Sequence, residues 1–183
     1  MDDITGSFRL GPDSGRVVIK TGRAGLAARA GHDLTIEVTR WSATVTVPGD
    51  GVAAAEVTAE LDLGSLAVLE GTGGAKPLSD KDRRDILNTA GKILGRGTAR
   101  FTSSRIIPAA SGGAIEGTLT LGGATRPARL QLVSRGPGQY RGTATVRQTD
   151  YGITPYTGFF GALKLKDEVT VEVEADLTRA ARE

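Results

Sequence analysis

The chain has 183 residues, of which 24% are charged and 39% apolar, ordinary proportions for a globular domain that exclude a disordered or collagen-like protein. Its 23 Lys and Arg are spread along the whole length against 21 Asp and Glu, so no basic cluster favours nucleic-acid binding. Without cysteine there is no disulfide, thiolate nucleophile or cysteine metal site. We therefore interpret residues 1–183 as a single domain.

The N-terminal segment 1–6 is acidic, and it lacks the basic start and apolar run of a secretory signal. No stretch approaches the roughly 18 consecutive apolar residues of a transmembrane helix. These two features predict a cytoplasmic protein without a transmembrane segment.

Alternation of apolar and polar residues is the dominant pattern along the chain, and it is typical of strands with one dry and one wet face. The clearest alternating segments are residues 34–39, 41–47, 57–63, 115–121 and 168–177, and residues 16–20 are interpreted as a further strand. Glycine-rich turns such as 48–51, 122–123 and 136–138 separate them, which predicts antiparallel pairing of neighbouring strands.

One segment has helical periodicity instead. Residues 79–82 resemble a capping box, and the apolar residues that follow have helical spacing up to Gly95. We predict a single amphipathic helix over 79–95. A short helical turn is expected within 24–30, and the aromatic, glycine-containing segment 150–164 is interpreted as a structured long loop.

About eight strands, one helix and no alternation of strand and helix predict an all-β fold, either a closed antiparallel barrel or a sandwich. Small residues recur on the inward face of the strands, and they leave volume inside. These are Ala43, Ala59, Gly117, Gly142, Ala144 and Ala175. An eight-stranded barrel holds one ligand when side chains do not fill its interior, so the barrel is favoured.

The order of several motifs resembles the YceI-like family. An opening strand at 13–19 is followed by a helix carrying Asp-Ile-Leu-Asn at 85–88, the Phe-Thr-Ser-Ser strand within 99–104, the Gly-Thr-Leu-Thr-Leu-Gly-Gly-Ala-Thr-Arg-Pro hairpin at 117–127, and a closing segment at 150–169. The hairpin and its partner strand are the most specific pieces.

The resemblance covers about residues 7–177 and implies a closed lipocalin-like barrel that encloses a polyisoprenoid or similar amphiphilic chain. The sequence departs from the family pattern in two places. Residues 92–97 replace the usual Tyr-Pro before the Phe-Ser strand, and the secretory signal of many members is missing.

His32, beside Asp33, is the only histidine and a candidate general base. A catalytic histidine needs a nucleophile or metal partner, and the sequence marks neither. We interpret His32 as a structural hydrogen-bonding residue and expect no catalytic residue, no metal site and no cofactor.

The candidate ligand-binding residues combine the apolar faces of the strands with the aromatic side chains and one arginine. They are Ile36, Val38, Trp41, Phe101, Leu119, Leu121, Arg126, Phe159 and Phe160. Arg126, in the hairpin, would meet an anionic head group if it lay at the mouth of the barrel. Leu119 is expected to point inward because it shares its apolar face with Ile115 and Leu121.

Two functions stay open at this point. The first is a non-enzymatic carrier that holds a long apolar small molecule, such as an isoprenoid, in the barrel interior. The second is a ligand-free structural or interaction domain with a filled core. A monomer and a homodimer are both compatible with the sequence.

Overall fold

The computed structural model describes residues 4–183, apart from the side chain of Phe159. Its strands are β1 Gly6–Leu10, β2 Gly15–Lys20, β3 Arg23–Ala24, β4 His32–Val38, β5 Trp41–Val47, β6 Glu56–Asp62, β7 Leu66–Gly73, β8 Thr98–Ala109, β9 Gly112–Leu121, β10 Ala124–Gly136, β11 Gln139–Arg147, β12 Thr157–Gly158, β13 Leu163–Leu165, β14 Glu168–Asp176 and β15 Ala181–Arg182. The helix α1 spans Asp80–Leu94. Short 3₁₀ turns lie at 28–30, 52–54, 63–65, 148–151 and 159–161.

Twelve of these strands form one antiparallel sheet in the order β15-β1-β5-β6-β8-β9-β10-β11-β14-β2-β4-β7. Tight hairpins connect β8 through β11, with turns at 110–111, 122–123 and 137–138. The two central residues of the 122–123 turn are glycines with φ of 59° and 84°, the positive values that a two-residue hairpin turn of this kind requires. The alternating pattern and the turn residues thus gave the correct strand type and pairing direction.

The sheet does not close, which corrects the prediction of a closed barrel of about eight strands. Within the described residues β1 pairs with β5 and β15, and β7 pairs with β4, so the sheet has two ends. After β1 the chain turns at Gly11–Ser14 and enters β2, which pairs with β14 and β4 instead of with β1. The result is an all-β open half-barrel with one helix.

Helix α1 begins where the capping residues predict it. The Ser79 hydroxyl accepts a hydrogen bond from the Asp82 amide at 3.1 Å, and the Asp82 carboxylate accepts one from the Ser79 amide at 2.8 Å. The Ser79 hydroxyl also donates to the Asp82 carboxylate at 2.7 Å, and the two bonds that Ser79 donates hold the pKa of Asp82 below its ordinary value. Gly95 follows the helix with φ of 71°.

The same helix covers the free edge of β7. The Arg83 guanidinium Nη1 donates to the carbonyl oxygens of Val68 at 2.6 Å and of Leu69 at 3.1 Å. These bonds satisfy acceptors that a neighbouring strand would otherwise bind, which is one physical reason why the sheet can end here. Among the described residues, helices fall short of the length and hydropathy that a membrane-spanning helix requires; α1 has 15 residues.

Three short strands make a second sheet in the order β12-β13-β3. It is built from the segment between β11 and β14, which the sequence predicted as a structured loop, together with the segment after β2. The predicted helical turn within 24–30 is smaller than expected, because β3 takes up residues 23–24 and only a 3₁₀ turn at 28–30 remains.

Buried apolar residues form two clusters, and both pack against α1. One cluster is centred on Leu34, Ile36 and Val68. The other is centred on Val146, Tyr151 and Ile153. The first half of the helix contributes Ile86 and Leu87 to one cluster, and the second half contributes Ile93 and Leu94 to the other. The helix therefore seals one end of the half-barrel.

Candidate functional site

The concave face of the large sheet surrounds a cavity of about 430 Å³. Alternation along each strand places every second side chain on this face, so a single cavity collects residues from nearly all of the sheet. In β9 the inward residues are Ile115, Leu119 and Leu121, whereas Thr118 is exposed. The volume lies within the roughly 300–1,000 Å³ that is usual for small-molecule sites.

Some inward-facing side chains, such as Ile36 and Val38, are buried, but many others around the cavity are only half-buried although they lie on the concave face. Val45, Val57 and Val171 are examples from three different strands. Packed protein cores leave few voids larger than a water molecule. Accessible aliphatic side chains on the inside of the sheet therefore mark space that the protein does not fill.

Small residues contribute to this space. Ala43 and Ala59 face each other across β5 and β6, and Ala144 lies opposite Val171 on β11 and β14. All four residues line the cavity. Larger side chains at the alanine positions would project into the interior.

Six of the residues predicted from the sequence lie together in the cavity wall. They are Ile36, Val38, Trp41, Phe101, Leu119 and Leu121. Phe101 and Leu119 are direct cross-strand neighbours in β8 and β9. The Trp41 ring lies against Gly15, where a Cβ atom would come within 3.1 Å of Trp41 Cη2. The same Cβ atom would lie only 2.3 Å from the Glu174 carbonyl oxygen, so a residue without a side chain is needed at this position.

The other three predicted residues are placed differently. Arg126 is exposed on β10, and its Nη1 donates to the carbonyl of the neighbouring Thr125 at 3.1 Å. Phe160 is fully exposed in the 3₁₀ turn 159–161. Neither residue is among those that line the cavity, which corrects the predicted placement of Phe160. Arg126 is the cross-strand partner of the inward-facing Leu119, and its contact with a ligand head group stays a prediction. The side chain of Phe159, the remaining prediction, lies outside the described part of the chain.

The structure adds lining residues that the sequence did not suggest. Ala90, Ile93 and Leu94 reach the cavity from α1, and Tyr156 and Leu165 reach it from the small sheet region. The helical spacing of Ala90, Ile93 and Leu94 was visible in the sequence as an apolar face. What that face packs against depends on tertiary structure.

Polar lining groups are few. Tyr140 and Tyr156 contribute aromatic rings with a hydroxyl, and Gln148 donates its side-chain amide to the carbonyl of Lys166 at 3.1 Å. Arg129 also lines the cavity, but its guanidinium is half-exposed and forms an ion pair with Glu116 at 2.5 Å. The cavity thus offers an apolar wall with scattered hydrogen-bonding groups.

His32 and Asp33 do not act on one another. His32 Nε2 lies 2.7 Å from the carbonyl oxygen of Lys76, whereas the Asp33 carboxylate accepts from the Arg23 amide at 2.9 Å and lies 3.6 Å from Arg23 Nε. Both side chains form hydrogen bonds to segments next to β4, in agreement with a structural interpretation of His32. In the part of the chain that the structure describes, no three His, Cys, Asp or Glu residues come together to hold a metal ion.

Comparison with solved structures finds proteins of the same architecture at low sequence identity. BcnA of Burkholderia cenocepacia is 17% identical with a TM-score of 0.58, and the match covers 87% of this chain and 94% of that one. A polyisoprenoid-binding domain of Saccharophagus degradans, implicated in plant cell wall breakdown, is 11% identical with a TM-score of 0.54 and coverage of 93% and 96%.

A third structure is a mutant YceI protein of Campylobacter jejuni with a monobromobimane guest. It is 13% identical with a TM-score of 0.55, and the match covers 81% of this chain and 84% of that one. At these identities the likeness shows the fold alone. Among curated protein sequences nothing matches. The YceI-like domain, however, matches residues 9–177, nearly the whole chain, and the protein therefore belongs to the YceI-like family.

Proposed function

We propose that this protein is a non-enzymatic carrier that holds a long apolar or amphiphilic chain, of the polyisoprenoid type, in the cavity of the half-barrel. One observation carries the proposal: half-buried aliphatic side chains such as Val57 and Val171 surround about 430 Å³ that the protein does not fill. An apolar ligand would remove these side chains from water.

The energy available from such burial is large enough for a stable complex. Each methylene group transferred from water to an apolar site contributes about 0.8 kcal/mol. A chain of about ten buried carbons would gain roughly 8 kcal/mol before the costs of ordering the ligand and losing its free motion. Affinity in this site would therefore grow with the length of chain that is buried.

The wall favours a ligand with an uncharged body. Among the residues that line the cavity, the charged one is Arg129. Its side chain is half-exposed and forms an ion pair with Glu116. An ion moved from water into an apolar interior without a partner is strongly disfavoured. Tyr140, Tyr156 and Gln148 would instead bond a hydroxyl, carbonyl or ether oxygen at one point of the ligand.

One structural relative supports the same class of ligand. The Saccharophagus degradans structure is described as a polyisoprenoid-binding domain. The alternative of an interaction domain with a filled core fits less well, because a filled core would also bury inward side chains such as Val57 and Val171, which are half-buried here.

Extraction of the purified protein tests the proposal. The protein is washed, extracted with chloroform and methanol, and the extract is analysed by mass spectrometry next to an extract of the expression host. We expect a lipid with a long apolar chain in near-stoichiometric amount, or, from empty protein, saturable uptake of N-phenyl-1-naphthylamine. Protein that yields no lipid and takes up no probe would contradict the carrier function.

A further inference from the structure

We propose that one end of the molecule docks on an anionic lipid bilayer. This docking end consists of residues 21–31 and 154–166, which contain β3, β12, β13 and the loops between them. The docking is a property of the protein surface and does not depend on the identity of the molecule in the cavity.

Two large apolar side chains project from the docking end. Leu26 and Phe160 are both fully exposed to solvent. Their loops are neighbours, because the Ala27 amide donates to the carbonyl of Ala162 at 3.0 Å and Gly25 lies directly against the same carbonyl. Exposed large apolar residues gathered at one place mark an interaction surface.

The backbone at Phe160 is unusual. It has φ of 56° and ψ of 34°, and it is the one non-glycine residue with positive φ in the described chain. This left-handed conformation is disfavoured for a bulky residue. A phenylalanine that keeps such a conformation while its ring contacts only solvent gains nothing from folding. The arrangement becomes favourable when the ring inserts into an apolar phase.

The charge of the docking end fits an anionic surface. Segments 21–31 and 154–166 contain four basic residues and no Asp or Glu. Arg23 is bound by Asp33, whereas Arg29, Lys164 and Lys166 are exposed and take part in no ion pair among the described residues. In a chain with 21 acidic residues, the two segments that carry the fully exposed Leu26 and Phe160 thus contain only basic charged residues.

The orientation of β13 places this charge on the outside. Leu165 lines the cavity, so its neighbour Lys164 points to the opposite face, away from the interior. Apolar side chains flanked by lysine and arginine are the usual composition of surfaces that lie at the boundary between lipid head groups and acyl chains. The chemistry of the docking end therefore favours an anionic bilayer over a protein partner.

The docking end is continuous with the cavity. Tyr156 lines the cavity and is 39% exposed, and its carbonyl accepts from the Leu165 amide at 3.0 Å. Thr21, at the start of the other segment, also lines the cavity. Docking would therefore bring this end of the cavity to the membrane, where apolar molecules are exchanged.

Vesicle co-sedimentation of the full chain tests the docking. The protein is mixed with vesicles of phosphatidylcholine alone or of phosphatidylcholine and phosphatidylglycerol in equal amounts. We expect binding to the anionic vesicles that weakens as salt is added. The double substitution Leu26→Ser with Phe160→Ser should lower partitioning by roughly tenfold or more. Lys164→Gln with Lys166→Gln should lower binding to the anionic vesicles only.

Val133→Ser is the matched control, because Val133 is 48% exposed on β10, outside the docking end. It should bind vesicles like the unchanged protein. Equal binding by the double serine variant and the control would overturn the proposal, as would failure of the unchanged protein to sediment with anionic vesicles. A dimer in analytical ultracentrifugation that the double variant abolishes, without vesicle binding, would show that a second copy covers this surface and would also overturn it.

Uptake of N-phenyl-1-naphthylamine in buffer without vesicles separates this proposal from the carrier function. The double serine variant should take up the probe like the unchanged protein, since neither Leu26 nor Phe160 lines the cavity. Loss of docking with normal uptake supports a membrane-docking surface that is distinct from the ligand site. Loss of uptake together with docking would show that the two residues act on the cavity and would contradict a separate surface.

Discussion

Replacing Leu119 with tryptophan would fill part of the cavity from one wall. Leu119 is half-buried in β9, lines the cavity and lies opposite Phe101 in β8. If a ligand chain occupies the interior, the larger ring would displace about three of its methylene groups. At about 0.8 kcal/mol for each group this loss amounts to about 2.4 kcal/mol, or roughly a fiftyfold increase in Kd.

The effect on stability separates a hollow interior from a filled core. A ring that enters empty space should change the free energy of unfolding little, whereas overpacking of a filled core costs typically 1–3 kcal/mol. We would measure the Kd for N-phenyl-1-naphthylamine by fluorescence titration and the urea midpoint on the same preparations. The expected result is weaker probe binding at a nearly unchanged midpoint.

Thr118→Trp is the matched control, because Thr118 is the neighbouring residue and its side chain is exposed on the other face. It should leave both the Kd and the urea midpoint close to those of the unchanged protein. Two results would refute the reasoning: a Leu119→Trp protein that binds the probe as before, or one that loses 1–3 kcal/mol of stability as a filled core would.

Three further predictions concern stability, measured as urea midpoints. Ser79→Ala removes the helix cap and should cost about 1 kcal/mol, whereas Ser79→Thr should retain most of it. Arg83→Met should cost about 1–3 kcal/mol because two β7 carbonyls lose their donor, and the exposed neighbour Arg84 gives the control Arg84→Met, which should be nearly neutral. Hydrogen bonds from Ser79 to Asp82 and from Arg141 to Glu172 hold the pKa of each carboxyl below its ordinary value of 3.8 or 4.5. The contribution of these hydrogen bonds to the free energy of unfolding should be complete above the ordinary pKa values and should disappear as the pH falls through the lowered pKa values. A urea midpoint that stays constant down to pH 3 would contradict this prediction.

Local patterns were sufficient to predict many of the longer elements of the fold. Alternating valine and glutamate or threonine in 168–176 predicted β14, and the capping residues at 79–82 predicted the start of α1. The short strands β3, β12 and β13 were not predicted, because two or three residues are too few for a period of two to be recognised.

The arrangement of the sheet was beyond local information. The pairing of β1 with β15 joins the two ends of the chain, and the edge at β7 depends on Arg83 reaching two carbonyls from a helix. Neither contact has a signal in the nearby sequence. The prediction of a closed barrel therefore failed at the two edges, although the segments with alternating residues do form strands.

The residues of the candidate site were likewise predicted only in part. Parity along a strand predicted that Leu119 and Leu121 point inward, and both line the cavity. Phe160 was assigned to the cavity because the resemblance to the YceI-like family implies a cavity that aromatic side chains could line. The left-handed backbone that accompanies its exposure has no sequence signature at a phenylalanine. Strand periodicity thus predicted which of these side chains line the cavity better than residue type did.

The structure of the two sheet edges affects how the protein behaves at high concentration. An open sheet offers unpaired backbone groups that can template the addition of another chain and so start fibril growth. Here one edge strand, β15, is only two residues long, and the β7 edge has Arg83 bound to two of its carbonyls. The sheet can therefore stay open around its cavity without presenting the long bare edge from which self-templated polymerisation begins.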